Sequence, residues 1–275
     1  MPGEFIRIFS DLHFGDRASR VHRLAQLRPL LDGVTHVVLN GDTLDTRPGP
    51  APTHTAECRA AIARFFADRV PATTFITGNH DANFSPQHYL DLGAGAVFAF
   101  HGDVLFENIV PWSRDSRLAG RRIAAELARL PVTQRHDLDH RLAVFRRVAH
   151  SIPQRHQSER DRLRYLLRYL ADSVWPPHRT LLILRAWQVL PARAADFARR
   201  HRPRARFVLV GHTHRPGIWH PPDGACVINT GSFSLPLGAY AVDLADGRLA
   251  VRQIEQTGGE FRPGRVLAEF PLAAT

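Results

Sequence analysis

Apolar positions along the first hundred residues switch between two periods. Phe5–Ser10, His36–Asn40 and Thr73–Thr77 are short apolar runs of strand type. Arg20–Leu31 and Ala56–Asp68 instead repeat apolar residues three and four apart, as one face of a helix requires. Pro48, Pro50 and Pro52 mark a loop ahead of the second helix. Strand, helix, strand, helix, strand predicts an α/β fold with a parallel, helix-flanked sheet. Ligands of such sheets gather at the carboxyl ends of strands.

Further on, Ala96–His101 and Val104–Glu107 read as paired strands turning around Gly102-Asp103. The pattern changes at Pro111. Arg117–Leu130, Gln134–Ser151 and Ser158–Trp175 read as helices, separated by Pro131, Pro153 and Pro176-Pro177. A helical stretch at Arg179–Arg200, interrupted near Pro191, precedes a strand at Phe207–Val210. The rest is β-rich: Gly217–His220, a turn at Pro221-Pro222-Asp223-Gly224, Cys226–Thr230 and a hairpin around Ala245-Asp246-Gly247. The predicted organisation is a single domain over residues 1–275 with a helical insertion at 112–180.

Charge sets the insertion apart. The chain has no lysine, so all 36 basic residues are arginine, and the formal net charge is +10. Residues 112–180 hold 15 arginines against seven acidic residues. Such an excess favours anionic partners: phosphates, nucleic acid or an acidic lipid surface. Taken singly, each arginine is first a solvated surface residue. The insertion is therefore expected to cap a site that takes an anion; the plainer alternative is a surface subdomain whose arginines face water. Cys58 and Cys226 lack the spacing of a thiolate zinc site and read as small buried residues on a helix and a strand. The first strand begins almost at once, leaving no room for a signal peptide, and no apolar run approaches membrane-spanning length. A cytoplasmic protein is expected, with peripheral contact at the inner membrane left open.

Five short blocks carry the chemistry: Ser10-Asp11-Leu12-His13, Gly41-Asp42-Thr43-Leu44-Asp45, Gly78-Asn79-His80-Asp81, His101-Gly102-Asp103 and Gly211-His212-Thr213-His214. Each stands where an apolar run gives way to a turn. One such block is uninformative, because Asp, Asn and His favour turns on their own account. Five in series supply seven oxygen and nitrogen donors, enough for two ions sharing one carboxylate. Without thiolates a structural zinc site is disfavoured, and four histidines disfavour calcium or magnesium. Manganese, iron(II) or zinc fit the donor set. Asp42, after a strand and a permissive glycine, is the natural bridge. His136 and His140 are four apart on a predicted helix but lack a third ligand, and a solvated helix face explains them.

The order and wording of the blocks resemble the calcineurin-like metallophosphoesterase family, from Asp11 to His214 with the insertion left out. The resemblance implies a metallophosphoesterase-type β-sandwich flanked by helices, with an inserted helical cap. It implies one divalent ion, Mn2+ foremost, on Asp11, His13, Asp42 and His214, and a second on Asp42, Asn79, His101 and His212. A hydroxide bridging them would attack phosphorus in line. His80 would serve the leaving group as acid or electrostatic stabiliser, with Asp81 orienting it, and Asp45 and Asp103 would stand behind the ligands.

His-Gly-Asp followed by a helical insertion is also similar to the UDP-2,3-diacylglucosamine pyrophosphohydrolases of lipid A synthesis, as is Asn229-Thr230-Gly231-Ser232. The third block departs from that branch in carrying His80 where its best-known members carry Arg, and no Cys-Thr-Asp-Asp run follows Val104-Leu105. Three readings stay open. They are a phosphoesterase with a basic cap, a hydrolase of a nucleotide-linked lipid pyrophosphate, and a non-catalytic interaction module on the same fold. Nuclease activity rests on charge alone. Val144, Phe145, Leu166 and Leu167 would favour the lipid reading if they line a channel.

Overall fold

The computed structural model describes residues 4–154, 163–165, 167, 171, 175–222 and 224–273. Strands β1 (Ile6–Phe9), β2 (His36–Asn40) and β3 (Ala72–Ile76) pair in parallel, as the alternating periods predict. Strands β9 (Tyr240–Ala245), β10 (Arg248–Thr257) and β11 (Glu260–Pro271) extend them antiparallel, giving the order β11-β10-β9-β1-β2-β3. A second sheet has the order β4-β5-β6-β8-β7. In it β5 (Val97–Phe100), β6 (Phe207–Val210) and β8 (Cys226–Asn229) are parallel. The edge strands β4 (Tyr89–Leu92) and β7 (Gly217–Trp219) run against them.

Alternation of side chains along the strands builds three packed layers. Ile6 and Ile8 of β1, Val38 of β2, Val97 and Ala99 of β5 and Leu209 of β6 meet between the sheets. Phe9, Val37 and Leu39 turn outward onto the 3-10 segment Leu24–Leu30 and helix α1 (Pro52–Ala67). Phe98, Phe100, Val208 and Val210 turn outward on the other side. There they meet α2 (Ser116–Arg129), α3 (Leu138–His150) and α4 (His178–His201). Strands buried on both faces read as continuous apolar runs, which is why the strand blocks were easy to see. The molecule is an α/β sandwich of two mixed sheets flanked by helices.

The elements correct the sequence reading in four places. Leu24–Leu30 is a 3-10 segment and not an α-helix, because Pro29 removes a backbone donor within it. Val104–Glu107 is not a strand. Gly102 takes φ 110° and Asp103–Leu105 forms a 3-10 turn whose apolar side chains are buried by packing, so β5 pairs with β4 and β6 instead. Helix α4 runs unbroken through Pro191, which is buried between the core residues Leu190 and Ala194. The long β10–β11 hairpin turns at Gly258-Gly259, both with positive φ, and its half-exposed strands lacked a clear period. Helices α2 and α3 of the insertion form the outer layer of the second sheet, with Val144 and Phe145 in its core. The third predicted insertion helix, Ser158–Trp175, lies largely outside the described residues, as does Leu166, while Leu167 is exposed. Cys58 and Cys226 are free and buried, on α1 and β8. Among the described residues no helix is long and apolar enough to cross a membrane.

Candidate metal centre

All five blocks begin where a parallel strand ends. Asp11 and His13 follow β1, Asp42 follows β2, Asn79 and His80 follow β3, His101 follows β5, and His212 and His214 follow β6. Backbone bonds knit the loops together: Asp11 N–H donates to Gly41 O (3.0 Å), His13 N–H to Asp42 O (3.0 Å) and Gly211 N–H to His101 O (2.8 Å). Asn40 ties the two sheets at this edge, its Nδ2 donating to Phe100 O (3.1 Å) and Leu209 O (3.2 Å). Asp11, His13, Asp42, His212 and His214 all have positive φ between 46° and 66°. That left-handed conformation is costly for residues with a Cβ and recurs where function overrides it. The glycines in front of the donors are there for space. A Cβ on Gly41 would collide with the His101 ring, and one on Gly211 with the Asp11 carboxylate.

The donors converge. Nε2 of His13 and Nε2 of His214 stand 3.1 Å apart, and Asp11 Oδ1 lies 3.2 Å from His214 Nε2 and 3.7 Å from His13 Nε2. Asp42 Oδ2 is 3.2 Å from His101 Nε2 and 3.9 Å from His13 Nε2. Atoms that share an ion at about 2.0–2.2 Å stand about 3 Å apart. Asp11, His13 and His214 form one triad with donor atoms within 4.8 Å of one another; Asp42, His101 and His212 form another. Asp42 also groups with His13 and His80, so it adjoins both halves. Six buried polar atoms of these loops make no hydrogen bond: Asp11 Oδ1, Asn40 Oδ1, Thr43 Oγ1, Asn79 Oδ1, His101 Nε2 and Asp103 Oδ2. Buried donors and acceptors are seldom left unpaired. Three of them, Asp11 Oδ1, Asn79 Oδ1 and His101 Nε2, belong to predicted ligands, and a divalent ion would satisfy each; Asp11 Oδ1 and His101 Nε2 otherwise face His214 Nε2 and Asp42 Oδ2, both at 3.2 Å.

Charge is arranged to match. Burial works against ionisation of Asp11, but the His13 and His214 contacts prevail and hold its carboxyl well below the usual range. Burial likewise opposes His13 and His101, yet the Asp11 and Asp42 carboxylates raise them to about 9 and about 10. His212 goes the other way, down to about 4, through burial first and then the neighbouring His101. Its Nε2 lies 2.9 Å from Ile109 O, and a ring proton donated there leaves Nδ1 free to coordinate.

His80 is oriented by Asp45, not by Asp81, which corrects the sequence reading. His80 Nδ1 lies 3.0 Å from Asp45 Oδ2 and 2.9 Å from Arg47 Nη2, and Arg47 in turn pairs with Asp45 at 2.6 Å. A guanidinium only donates and a carboxylate only accepts, so Nδ1 serves Asp45 when it carries the proton and Arg47 when it does not. Burial and then Arg47 lower the His80 pKa against the pull of Asp42 and Asp45. Asp81 lies under the loop, accepting from Gly78 N–H, Thr43 N–H (2.7 Å) and Asp42 N–H (3.2 Å). Burial, then Asp42, raises it to about 6. Asp103 pairs with Arg146 of α3 in a buried contact.

Several supports had no role assigned to them from the sequence. Asn229 Nδ2 donates to Gly211 O (2.8 Å) and Thr213 Oγ1 (3.0 Å), bracing the fifth block. Gln154 Nε2 donates to Asp45 O and Arg47 O (both 2.9 Å), tying the insertion to the His80 network. Arg47 and Ile109 gave no signal at all; Asp45 was flagged by its motif as standing behind the ligands, but its contact with His80 was not foreseen. His136 and His140 are exposed at the start of α3, where His140 bonds Asp137, the helix cap.

The model of the calcineurin-like phosphoesterase superfamily domain matches residues 5–245. The chain belongs to that superfamily. No curated protein matches it. Among solved structures it is similar to a conserved protein of Streptococcus pneumoniae TIGR4 described as a predicted phosphoesterase, at 17% identity and TM-score 0.39, covering 98% of this chain and 99% of that one. A dimetal phosphatase from Danio rerio aligns at 14% identity and TM-score 0.42 over 92% and 96% of the two chains. Vacuolar Protein Sorting 29 from Cryptosporidium parvum aligns at 12% identity and TM-score 0.43 over 98% and 100%. Likenesses this weak assign neither activity nor partner to the present chain.

Proposed function

We propose that this member of the superfamily is a dinuclear metal-dependent phosphoesterase, with Asp11, His13, Asp42 and His214 around one ion and Asp42, Asn79, His101 and His212 around the other. The observation that carries this reading is the convergence of Asp11, His13 and His214 in one group and of Asp42, His101 and His212 in another, with Asp42 also beside His13. Bound divalent ions would acidify water and offset the charge of a phosphoryl group. The chain's own part is to hold seven donors on loops fixed by strand ends. His80 faces the leaving group, and an anionic substrate beside it returns the proton that Arg47 and burial discourage. Asp45 keeps the ring in place. The non-catalytic reading would be favoured by loss of a donor residue, and all seven predicted ones are present in the sequence.

A second reading, an amphipathic phosphoester such as a nucleotide-linked lipid pyrophosphate, is favoured by one feature. Helices α2, α3 and α4 enclose a cavity of about 650 Å3, with Phe106, Ile123 and Phe145 on its walls and Arg117, Arg141 and Arg185 around them. A smaller cavity of about 50 Å3 shares Asn108 and Ser116 with it and reaches Asn79 and Arg47. An apolar tail in the larger space would leave its phosphate near the donors.

A substrate panel with Mn2+ separates the readings: a chromogenic phosphomonoester, a phosphodiester, a UDP-linked diacyl sugar and single-stranded DNA. Metal-dependent hydrolysis of any phosphoester supports the leading reading, and preference for the acylated substrate supports the second. Full activity after exhaustive chelation sinks both.

A further inference from the structure

Nine large apolar side chains are exposed among the described residues, and five of them lie between positions 163 and 184. Leu163 is 66% exposed, Leu167 58%, Trp175 69%, Leu181 65% and Leu184 44%. Leu181 and Leu184 are three apart in the first turns of α4 and share a face of that helix. Trp175 stands just ahead of it. Arg185 belongs to the same stretch, and Asp172 is the only acidic residue between positions 163 and 195.

We infer that this end of α4, with Trp175, docks the protein on an anionic phospholipid bilayer. Exposed Leu and Trp this dense along one stretch of chain are uncommon on a surface that meets only water. Trp favours the headgroup level of a bilayer, Leu its acyl boundary, and arginine the negative lipid headgroups. A second copy of the chain fits the patch less well. A stable dimer buries about 800 Å2 per partner, and two chains of formal charge +10 repel each other. Docking would also bring the candidate metal centre close to the lipid surface. Three residues beyond Leu184, Trp187 Nε1 donates to Thr213 O (2.9 Å), between His212 and His214. The inference stands apart from the proposed reaction, since its test reads association and not hydrolysis.

The test is flotation of the full chain with vesicles of phosphatidylcholine alone and of equal parts phosphatidylcholine and phosphatidylglycerol. Recovery with the anionic vesicles should exceed that with neutral vesicles about tenfold and fall as salt is raised. The double variant Leu181→Ser/Leu184→Ser should lose about tenfold of that binding, with an unchanged circular dichroism spectrum. Trp175→Ser should weaken binding in the same direction. Equal binding to both vesicle types, binding to neither, or full binding by the double variant overturns the inference. So does light scattering that finds a dimer which the double variant breaks.

Discussion

Asp45 and His80 form a testable pair at the scale of single residues. Their 3.0 Å contact fixes the imidazole, while against burial His80 and then Arg47 keep the carboxylate ionised. Asp45→Asn should lower kcat on a chromogenic phosphoester by about 10- to 100-fold with little change in KM, as loss of an orienting group does. An unchanged kcat would remove Asp45 from the mechanism. Protons provide a second test. His13 and His101, raised to about 9 and about 10, are both protonated at pH 7 in the metal-free protein, yet they must be neutral to coordinate. Metal uptake at pH 7 should therefore release about two protons per chain. Apparent affinity should weaken by up to about a hundredfold per unit fall in pH. Titration calorimetry in buffers of different protonation enthalpy measures the release, and a count of zero contradicts it. The sign for the metal-free fold follows from the same shifts. Both groups are raised, so their stabilising charge is present below about 6.5 and is lost as pH rises through about 9 to 10. The donors were legible in the sequence because each is a turn-forming polar residue after an apolar run. Arg47, Asn40 and Ile109 were not, because their roles arise only when strands distant in sequence end at one edge.

At the scale of elements, the strands were legible because both their faces are buried. The misread segments are those where tertiary contacts outweigh local pattern. Val104 and Leu105 are apolar because α3 and α4 cover them, and Asp103 between His101 and that turn is anchored by Arg146. This ion pair joins the insertion to the fourth block, with Arg146 Nε and Nη1 otherwise unpartnered. Arg146→Met should strand the Asp103 carboxylate in a buried setting and cost about 3–5 kcal/mol in urea denaturation. A loss below about 1 kcal/mol would mean that water reaches Asp103 and that the pair is no anchor. Gly41→Ala should be more harmful than its lost volume suggests, since the new Cβ meets the His101 ring at φ 89°. Its effect should appear as weakened metal binding, measured by the same calorimetry.

Across the whole molecule, the two sheets do separate work. Their shared core is apolar and closed, whereas their common edge brings Asp11, His13, Asp42, His80, His101, His212 and His214 together from five strand ends. The insertion, which the pattern could only mark as helical and basic, supplies the outer layer of the second sheet and the walls of a large cavity. Its chemistry depends on side chains meeting across three helices, which no local spacing records. The central claim is that the edge holds two ions on one shared carboxylate. It is tested most directly by the metal content of protein equilibrated with Mn2+ and then freed of unbound ion, for the natural chain and for Asp42→Ala. About two ions per chain, falling to one or none in the variant together with phosphoester hydrolysis, is the predicted result. A single ion in the natural chain, or two retained in Asp42→Ala, would contradict it.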